Sequence, residues 1–209
     1  MKLEELESII LDASSSFRRY QLIEELSEGI SKNRDILNQL YYLLSNKCNS
    51  FDNIKANSVL CSSCIHILIQ SKRPESLFLL IQYIKSLPVQ IPITYVEFLG
   101  KLLPFFGKIV IGPAKELTRY PDGTPQKAIG IQILCNLFLD GLLGEENYMY
   151  LIDLTQNYQN DPYFTKHLFD LVKSTNEYHN FIKSKNLYEI EPQDDIIIDD
   201  TIIIEKNSS

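Results

Sequence analysis

The chain has 209 residues, 44% of them hydrophobic, and a formal net charge of −7. A chain of this size and composition can bury an ordinary hydrophobic core, so folding does not require disulfides or metal ions. General nucleic-acid binding is disfavoured because it needs a net basic surface. The segment 187–209 contains seven acids and one base and so carries −6 of the charge, which leaves the remaining body close to neutral.

The composition also bears on the cellular compartment. The first residues are charged and are not followed by an apolar core with a cleavage site, as a signal peptide would be. The longest apolar stretches, such as 129–143, contain polar side chains and are too short to span a bilayer. We therefore expect a cytoplasmic protein with reduced thiols and no transmembrane segment, and the nucleus is the alternative compartment.

Apolar residues recur at helical spacing along the first half of the chain. Residues 2–12 and about 17–30 predict amphipathic helices, and Asn33 caps a third helix that ends before a polar loop at 47–53. Residues 54–87 predict a helix, a turn at 71–74 and a second helix that begins at Pro74. Phe78 and Leu79 widen the apolar face of this second helix, so both helices of the pair should be buried on two sides.

The second half predicts further helices after an extended connection at 89–92. A helix over about 93–106 should kink or end at Pro104, and a short helix covers 113–120. The helix over 126–143 has Gly144 as a plausible C-cap. Asp161 should cap a helix that follows 145–157, and a last helix is predicted over about 176–184. The only β-like fragment, 108–112, is expected to be an extended link.

The spacing of these helices indicates the fold class. Helix starts are separated by roughly 15 to 30 residues, so two successive helices form units of about 40 residues, the scale of armadillo and HEAT repeats. The pattern resembles such α-solenoids. We predict an all-α fold of right-handed, antiparallel helix pairs stacked as an armadillo/HEAT-like array over residues 1–186, followed by an acidic, isoleucine-rich tail over 187–209. Because no position-specific consensus recurs, an irregular α-helical domain is the alternative.

The densest cluster of reactive side chains is Cys61-Ser-Ser-Cys64 followed by His66. A thioredoxin-like pair needs a preceding buried strand and a helix start, and neither is predicted here. A zinc site needs two further ligands, which the sequence does not identify. The alternative is two small buried residues on adjacent helical turns. We find no nucleophile elbow, phosphate loop or GxGxxG motif, and we expect no catalytic site, cofactor or metal.

The segment 101–127 is mildly basic and the least regular part of the body. We predict binding roles for Lys115, Arg119 and Lys127, because exposed loops carry binding functions more often than the scaffold does. The ligand would be an acidic partner or a phospholipid headgroup. The alternative is a solvated connection between two helical layers.

The tail contains two isoleucine triplets flanked by acids. β-branched residues favour an extended strand, which can add to the edge of a partner's sheet while the acids meet basic residues. The pattern resembles the tandem motifs that bind the small ubiquitin-like modifier SUMO. A terminal strand packed on the body, a helical extension and a disordered tail are the alternatives. The predicted binding residues are Ile196, Ile197, Ile198, Asp199, Asp200, Ile202, Ile203, Ile204 and Glu205.

The body carries one further resemblance. Residues 25–88, with a leucine-rich helix, a cysteine-containing apolar helix and the sequence Leu-Leu-Ile-Gln-Tyr-Ile-Lys-Ser-Leu-Pro at 79–88, resemble the N-terminal helical solenoid of phosphatidylinositol 4-kinase alpha. This resemblance implies a non-catalytic scaffold in a membrane-associated lipid-kinase complex. The function that the sequence favours is a protein–protein interaction scaffold or adaptor subunit of a larger intracellular complex. The alternatives are the lipid-kinase scaffold and a binder of a ubiquitin-like modifier.

Overall fold

The computed structural model describes residues 3–12, 16–32, 34–47, 54–155 and 161–185. Within these ranges the chain forms α-helices and one 3₁₀ helix, and no strand is present among them. The helices are α1 (Leu3–Asp12), α2 (Ser16–Lys32), α3 (Arg34–Lys47), α4 (Ile54–Gln70), α5 (Pro74–Lys85), α6 (Ile93–Leu102), the 3₁₀ helix (Leu103–Val110), α7 (Ile111–Leu117), α8 (Pro125–Leu139), α9 (Glu145–Thr155) and α10 (Lys166–Ser184). The predicted all-α fold class is confirmed.

Helix α4 lies at the centre of the first half. α1, α2, α3 and α5 all pack against it. Its side chains at 64, 65, 67 and 68 are fully buried, and these four positions face different directions around the helix axis. A helix that is apolar over so wide a face must have neighbours on more than one side. The expected two-sided burial is therefore confirmed for the first helix of the predicted pair.

Helix α8 has the same role in the second half. Thr124 precedes it as the N-cap, Pro125 occupies its first turn, and twelve of its 15 residues are buried. α6, the 3₁₀ helix, α7, α9 and α10 pack around it. Gly130 allows close approach to α7, because a Cβ at this position would lie 2.8 Å from the carbonyl oxygen of Ala114. One continuous hydrophobic core runs from Leu6 to Leu168.

The end of α8 differs from the prediction. The helix ends at Leu139, and the residue with positive φ is Gly141 (φ 71°), not Gly144. The Leu142 N–H donates to the Leu137 carbonyl, and the Gly141 N–H donates to the Phe138 carbonyl. These two bonds form a Schellman motif, which needs the glycine directly after the C-cap residue.

The expected extended link at 108–112 is wrong. The 3₁₀ helix runs through Val110, with a break at Gly107 (φ 67°), and α7 follows at once. Val110, Ala114 and Leu117 recur at helical spacing and are fully buried. Because the helix buries this stripe in the core, tertiary packing overrides the strand preference of the β-branched residues here.

The prediction of two helices after residue 160 is also wrong. A single helix, α10, begins after the N-cap Thr165, whose hydroxyl accepts from the Leu168 N–H at 3.4 Å. Asp161 does not cap it. The Asp161 carboxylate accepts from the Tyr163 N–H at 2.8 Å and from the Gly123 N–H, so it joins the turn after α7 to the segment before α10.

Side chains of the second half fasten the link between α5 and α6. The Gln126 amide donates to the carbonyls of Ile84 (3.2 Å) and Leu87 (2.8 Å). The Tyr163 hydroxyl accepts from the Ile91 N–H at 3.1 Å and donates to the Val89 carbonyl at 2.6 Å. These bonds satisfy buried backbone groups at and after the end of α5, and they fix the end of α5 and the following link relative to α8 and to the segment before α10.

Candidate interaction surface

An apolar groove of about 260 Å³ lies between α5 and the segment formed by the 3₁₀ helix and α7. Its α5 wall follows the spacing i, i+3, i+4, i+7, i+8 and i+11, which is one face of a helix. The opposite wall follows the spacing i, i+4 and i+7. We call this feature the α5–α7 groove, and its lining is Pro74, Leu77, Phe78, Ile81, Gln82, Lys85, Ile109, Pro113 and Glu116.

The groove has a buried floor and an exposed rim. Leu77 and Ile81 are only 5% and 4% exposed, whereas Phe78 and Ile109 are 61% and 49% exposed. Phe105, which precedes Ile109 in the same 3₁₀ helix, is 65% exposed. Large apolar side chains that are grouped at the surface mark interaction sites, whereas single ones are ordinary. The expected two-sided burial of α5 is therefore wrong at Phe78, which faces solvent.

Two ion pairs lie at or beside the ends of the α5 wall of the groove, and of the two bases only Lys85 belongs to the lining. At one end, the Lys85 Nζ donates to the Glu116 Oε1 at 2.6 Å and links α5 to α7. At the other end, Arg73 directly precedes Pro74, and its Nε lies 3.3 Å from a carboxylate oxygen of Glu75. All four side chains are partly exposed, so each pair is worth at most about 1 kcal/mol.

The three basic residues predicted from sequence lie outside the lining of this groove. The Lys115 Nζ lies 5.5 Å from the centroid of the Tyr150 ring, as in a cation–π contact. Lys127 pairs with Asp122, and Arg119 is exposed in the turn after α7. Their binding role stays a prediction.

The predicted binding residues of the tail lie outside the described residues, which end at Lys185. The binding role of this set also stays a prediction. It comprises Ile196, Ile197, Ile198, Asp199, Asp200, Ile202, Ile203, Ile204 and Glu205.

The cluster at Cys61, Cys64 and His66 lies within α4. Cys64 is a free, fully buried thiol whose pKa burial raises to about 12. The His66 ring packs edge-on against Phe98 with 5.7 Å between ring centroids, and burial, assisted by the charge of Arg19, lowers its pKa. A neutral buried thiol is neither a nucleophile nor a metal ligand. Within the described ranges, no group of three or more His, Cys, Asp or Glu side chains is arranged to hold a metal ion.

One expectation about these cysteines is wrong. Cys61 is disulfide-bonded, so the thiols are not all reduced. Cys64 and Cys135 are free thiols.

The groove was not predicted from the sequence. Its α5 wall was visible as an apolar stripe, but Phe78 was expected to be buried. Its other wall includes Ile109, which lies in the segment that was expected to be extended. A helical assignment of 108–117 would have placed Ile109, Pro113 and Glu116 on one face and revealed the second wall.

Comparison with known proteins gives no match to a protein-family model, a curated protein or a solved structure. The fold and the groove are therefore the observations on which a function can be proposed. Among the helices that the structure describes, none combines the length and the apolar composition that crossing a membrane requires.

Proposed function

We propose that the chain is a non-catalytic protein–protein interaction scaffold or adaptor subunit of a larger intracellular complex, and that the α5–α7 groove is its docking surface. The observation that carries the proposal is the groove itself: two helical stripes form apolar walls, with Phe78 and Ile109 exposed on the rim. Helix-lined apolar grooves suit partner segments that present apolar side chains at regular spacing.

Among the large apolar side chains that line the groove, Phe78 is the most exposed. A phenylalanine side chain buries roughly 150–250 Å² when it is fully covered. Because Phe78 is 61% exposed, covering its ring would remove roughly 100 Å² of apolar surface from water. At about 25 cal/mol per Å², this burial is worth about 2–3 kcal/mol. A contribution of this size is typical of a residue that dominates an interface.

The test compares three forms of the full chain by affinity purification from the native cell: the unchanged protein, a groove variant with Phe78→Ser and Ile109→Ser, and a control with Phe169→Ser. Phe169 lies on α10, outside the groove, and is 52% exposed, so the control removes a comparable aromatic ring elsewhere. Circular dichroism and thermal unfolding establish that each variant is folded. The groove variant should lose the main partners and the control should keep them. Retention of the partners by a folded groove variant would refute the proposal.

We also propose the finer architecture, an array of armadillo/HEAT-like helix pairs. Its support is that consecutive helices pack against one another around α4 and α8 and share one continuous core. Two more specific roles stay predictions from resemblance: a scaffold in a membrane-associated lipid-kinase complex, and binding of a ubiquitin-like modifier through the tail. The identities of the proteins recovered in the same purification test both.

A further inference from the structure

We infer that the occupant of the α5–α7 groove is a second copy of this chain: two copies pack with their α5 helices antiparallel, and Phe78 of each copy enters the groove of the other. The second copy is then the partner of the same groove, so this pairing rests on the proposed function. Three features of the described residues support it: a projecting ring beside an apolar cavity, the balance of charges around the groove, and the exposed apolar area.

The groove presents a projecting part and a receiving part on one surface. Phe78 projects from the rim and is 61% exposed, whereas Leu77 and Ile81 form an apolar floor. The volume of the groove, about 260 Å³, exceeds the roughly 150 Å³ of an apolar cavity that can hold a benzene molecule, so a phenylalanine ring has room in it. A twofold interface needs both complementary parts on the same surface, because the two copies present identical residues. The α5–α7 groove meets this requirement.

The charges around the groove are balanced and suit an antiparallel pair. Arg73 and Glu75 lie at one end of α5, and Lys85 and Glu116 lie at the other. A surface with an excess of one sign would repel its own copy, whereas here each end holds a base paired with an acid. In an antiparallel pair, one end of each groove lies over the opposite end of the other. Glu75 can then pair with Lys85 of the other copy, and Arg73 with Glu116 of the other copy.

The same arrangement determines which apolar residues meet. The two ion pairs are equally far from a point between residues 79 and 80 of α5, so the twofold axis crosses the helix there. Positions at equal distances on either side of this point lie opposite each other. Phe78 of one copy therefore lies opposite Ile81 of the other, a residue of the groove floor. The register that pairs the charges thus also places each ring over the other groove.

The exposed apolar area approaches what a stable dimer needs. Phe78, Phe105 and Ile109 are 61%, 65% and 49% exposed and together present roughly 250 Å² in each copy. Phe105 is four residues from Ile109, at most about 14 Å away, and a standard interface is roughly 30 Å across. Such an interface buries about 800 Å² on each side, of which about 450 Å² is apolar. Three side chains therefore supply more than half of this apolar area.

Sedimentation equilibrium of the purified full chain, at concentrations between about 1 and 100 μM, tests the pairing. We expect a monomer–dimer equilibrium with a dissociation constant of about 10 μM or below. Phe78→Ser removes a ring from both copies, and each ring covers roughly 100 Å², so the dissociation constant should rise about a thousandfold. Phe169→Ser, the matched control on α10, should keep the dimer. A monomeric unchanged chain, a dimer that survives Phe78→Ser, or an equal loss in the control would overturn the inference.

A second measurement keeps an aromatic ring at position 78 and so does not depend on the folding of the serine variant. The photo-crosslinking residue p-benzoylphenylalanine is placed at position 78, or at position 169 as the control, in a mixture of chains labelled with light and heavy nitrogen. Mass spectrometry should find crosslinks between a light and a heavy chain that join position 78 to the peptide containing Ile81. Crosslinks confined to single chains, or the same yield between copies from position 169, would overturn the inference.

The outcomes separate the pairing from the proposed function. If the chain is monomeric but the folded groove variant loses its cellular partners, the groove docks a different protein and the second copy is the wrong occupant. If the groove variant loses the dimer but keeps its cellular partners, the groove serves self-association alone and the proposed function is wrong. If both hold, a tagged chain should recover its own untagged copy from the cell, and the groove variant should not.

Discussion

Two buried glutamines of α8, Gln126 and Gln132, differ in their hydrogen bonding. Gln126 donates to the carbonyls of Ile84 and Leu87, whereas the side-chain oxygen of Gln132 has no hydrogen-bond partner among the described residues. Both side chains are almost fully buried. Methionine is an unbranched side chain of similar shape, so Gln126→Met and Gln132→Met make the same chemical change at a bonded and at an unbonded position.

The loss of stability expected for Gln126→Met follows from the two backbone carbonyls that accept hydrogen bonds from Gln126. The carbonyl oxygen of Ile84 keeps a second donor, the Leu87 N–H at 3.1 Å. Within the described part of the chain, Gln126 is the donor to the Leu87 carbonyl, which would be left buried and unpaired. An unsatisfied buried group costs about 1–3 kcal/mol. For a chain of this length, a loss of about 2 kcal/mol lowers the unfolding midpoint by about 4–8 °C.

Urea and thermal unfolding of the full chain measure the two variants side by side. Gln126→Met should lose about 2 kcal/mol of the free energy of unfolding. Gln132→Met should be neutral or slightly more stable, because it removes an unpaired polar atom from the core. Equal losses in both variants, or no loss in Gln126→Met, would refute the account of how α5 is held.

Three further predictions concern buried polar groups. The hydroxyls of Tyr83 and Tyr95 lie 2.7 Å apart. In urea unfolding, Tyr83→Phe and Tyr95→Phe should each lose about 1 kcal/mol of the free energy of unfolding. The double variant should lose less than the sum of the two single losses. Burial lowers the pKa of His179, whose ring stacks on Tyr148, so the neutral form is favoured in the folded state. The contribution of His179 to the free energy of unfolding should be fully present above the unfolded pKa of about 6.5 and should decrease as the pH falls below that value. His179→Gln should reduce this decrease when unfolding is measured at several pH values. Burial raises the pKa of the Cys64 and Cys135 thiols to about 12, so a thiol reagent such as dithionitrobenzoate should react with them only after unfolding.

The parts of the fold that sequence could predict are those that local chemistry determines. Pro74 and Pro125 mark the starts of α5 and α8, because proline fits the first helical turn. Helical spacing of apolar residues likewise identified α4 as a helix with a wide buried face. These signals act over a few residues, so they can be recognised without the rest of the chain.

The remaining parts depend on contacts between distant residues. Glycines at 141 and 144 both suit a helix end, and local chemistry does not distinguish them. In the structure α8 ends at Leu139, so the positive φ falls on Gly141. The segment around Ile109 has strand preference but is helical because its neighbour Val110 is buried in the core. The groove could not be predicted for the same reason, since its second wall exists only once this segment is helical.

The most direct test of the central claim is photo-crosslinking in the intact cell with p-benzoylphenylalanine at position 78 of the full chain. The same residue at position 169 is the control, because Phe169 is similarly exposed and lies outside the groove. If the α5–α7 groove is the docking surface, position 78 will crosslink to a defined partner protein, the control will not, and Ile109→Ser will abolish the product. The same products from both positions, or a product that is indifferent to Ile109→Ser, would contradict the claim.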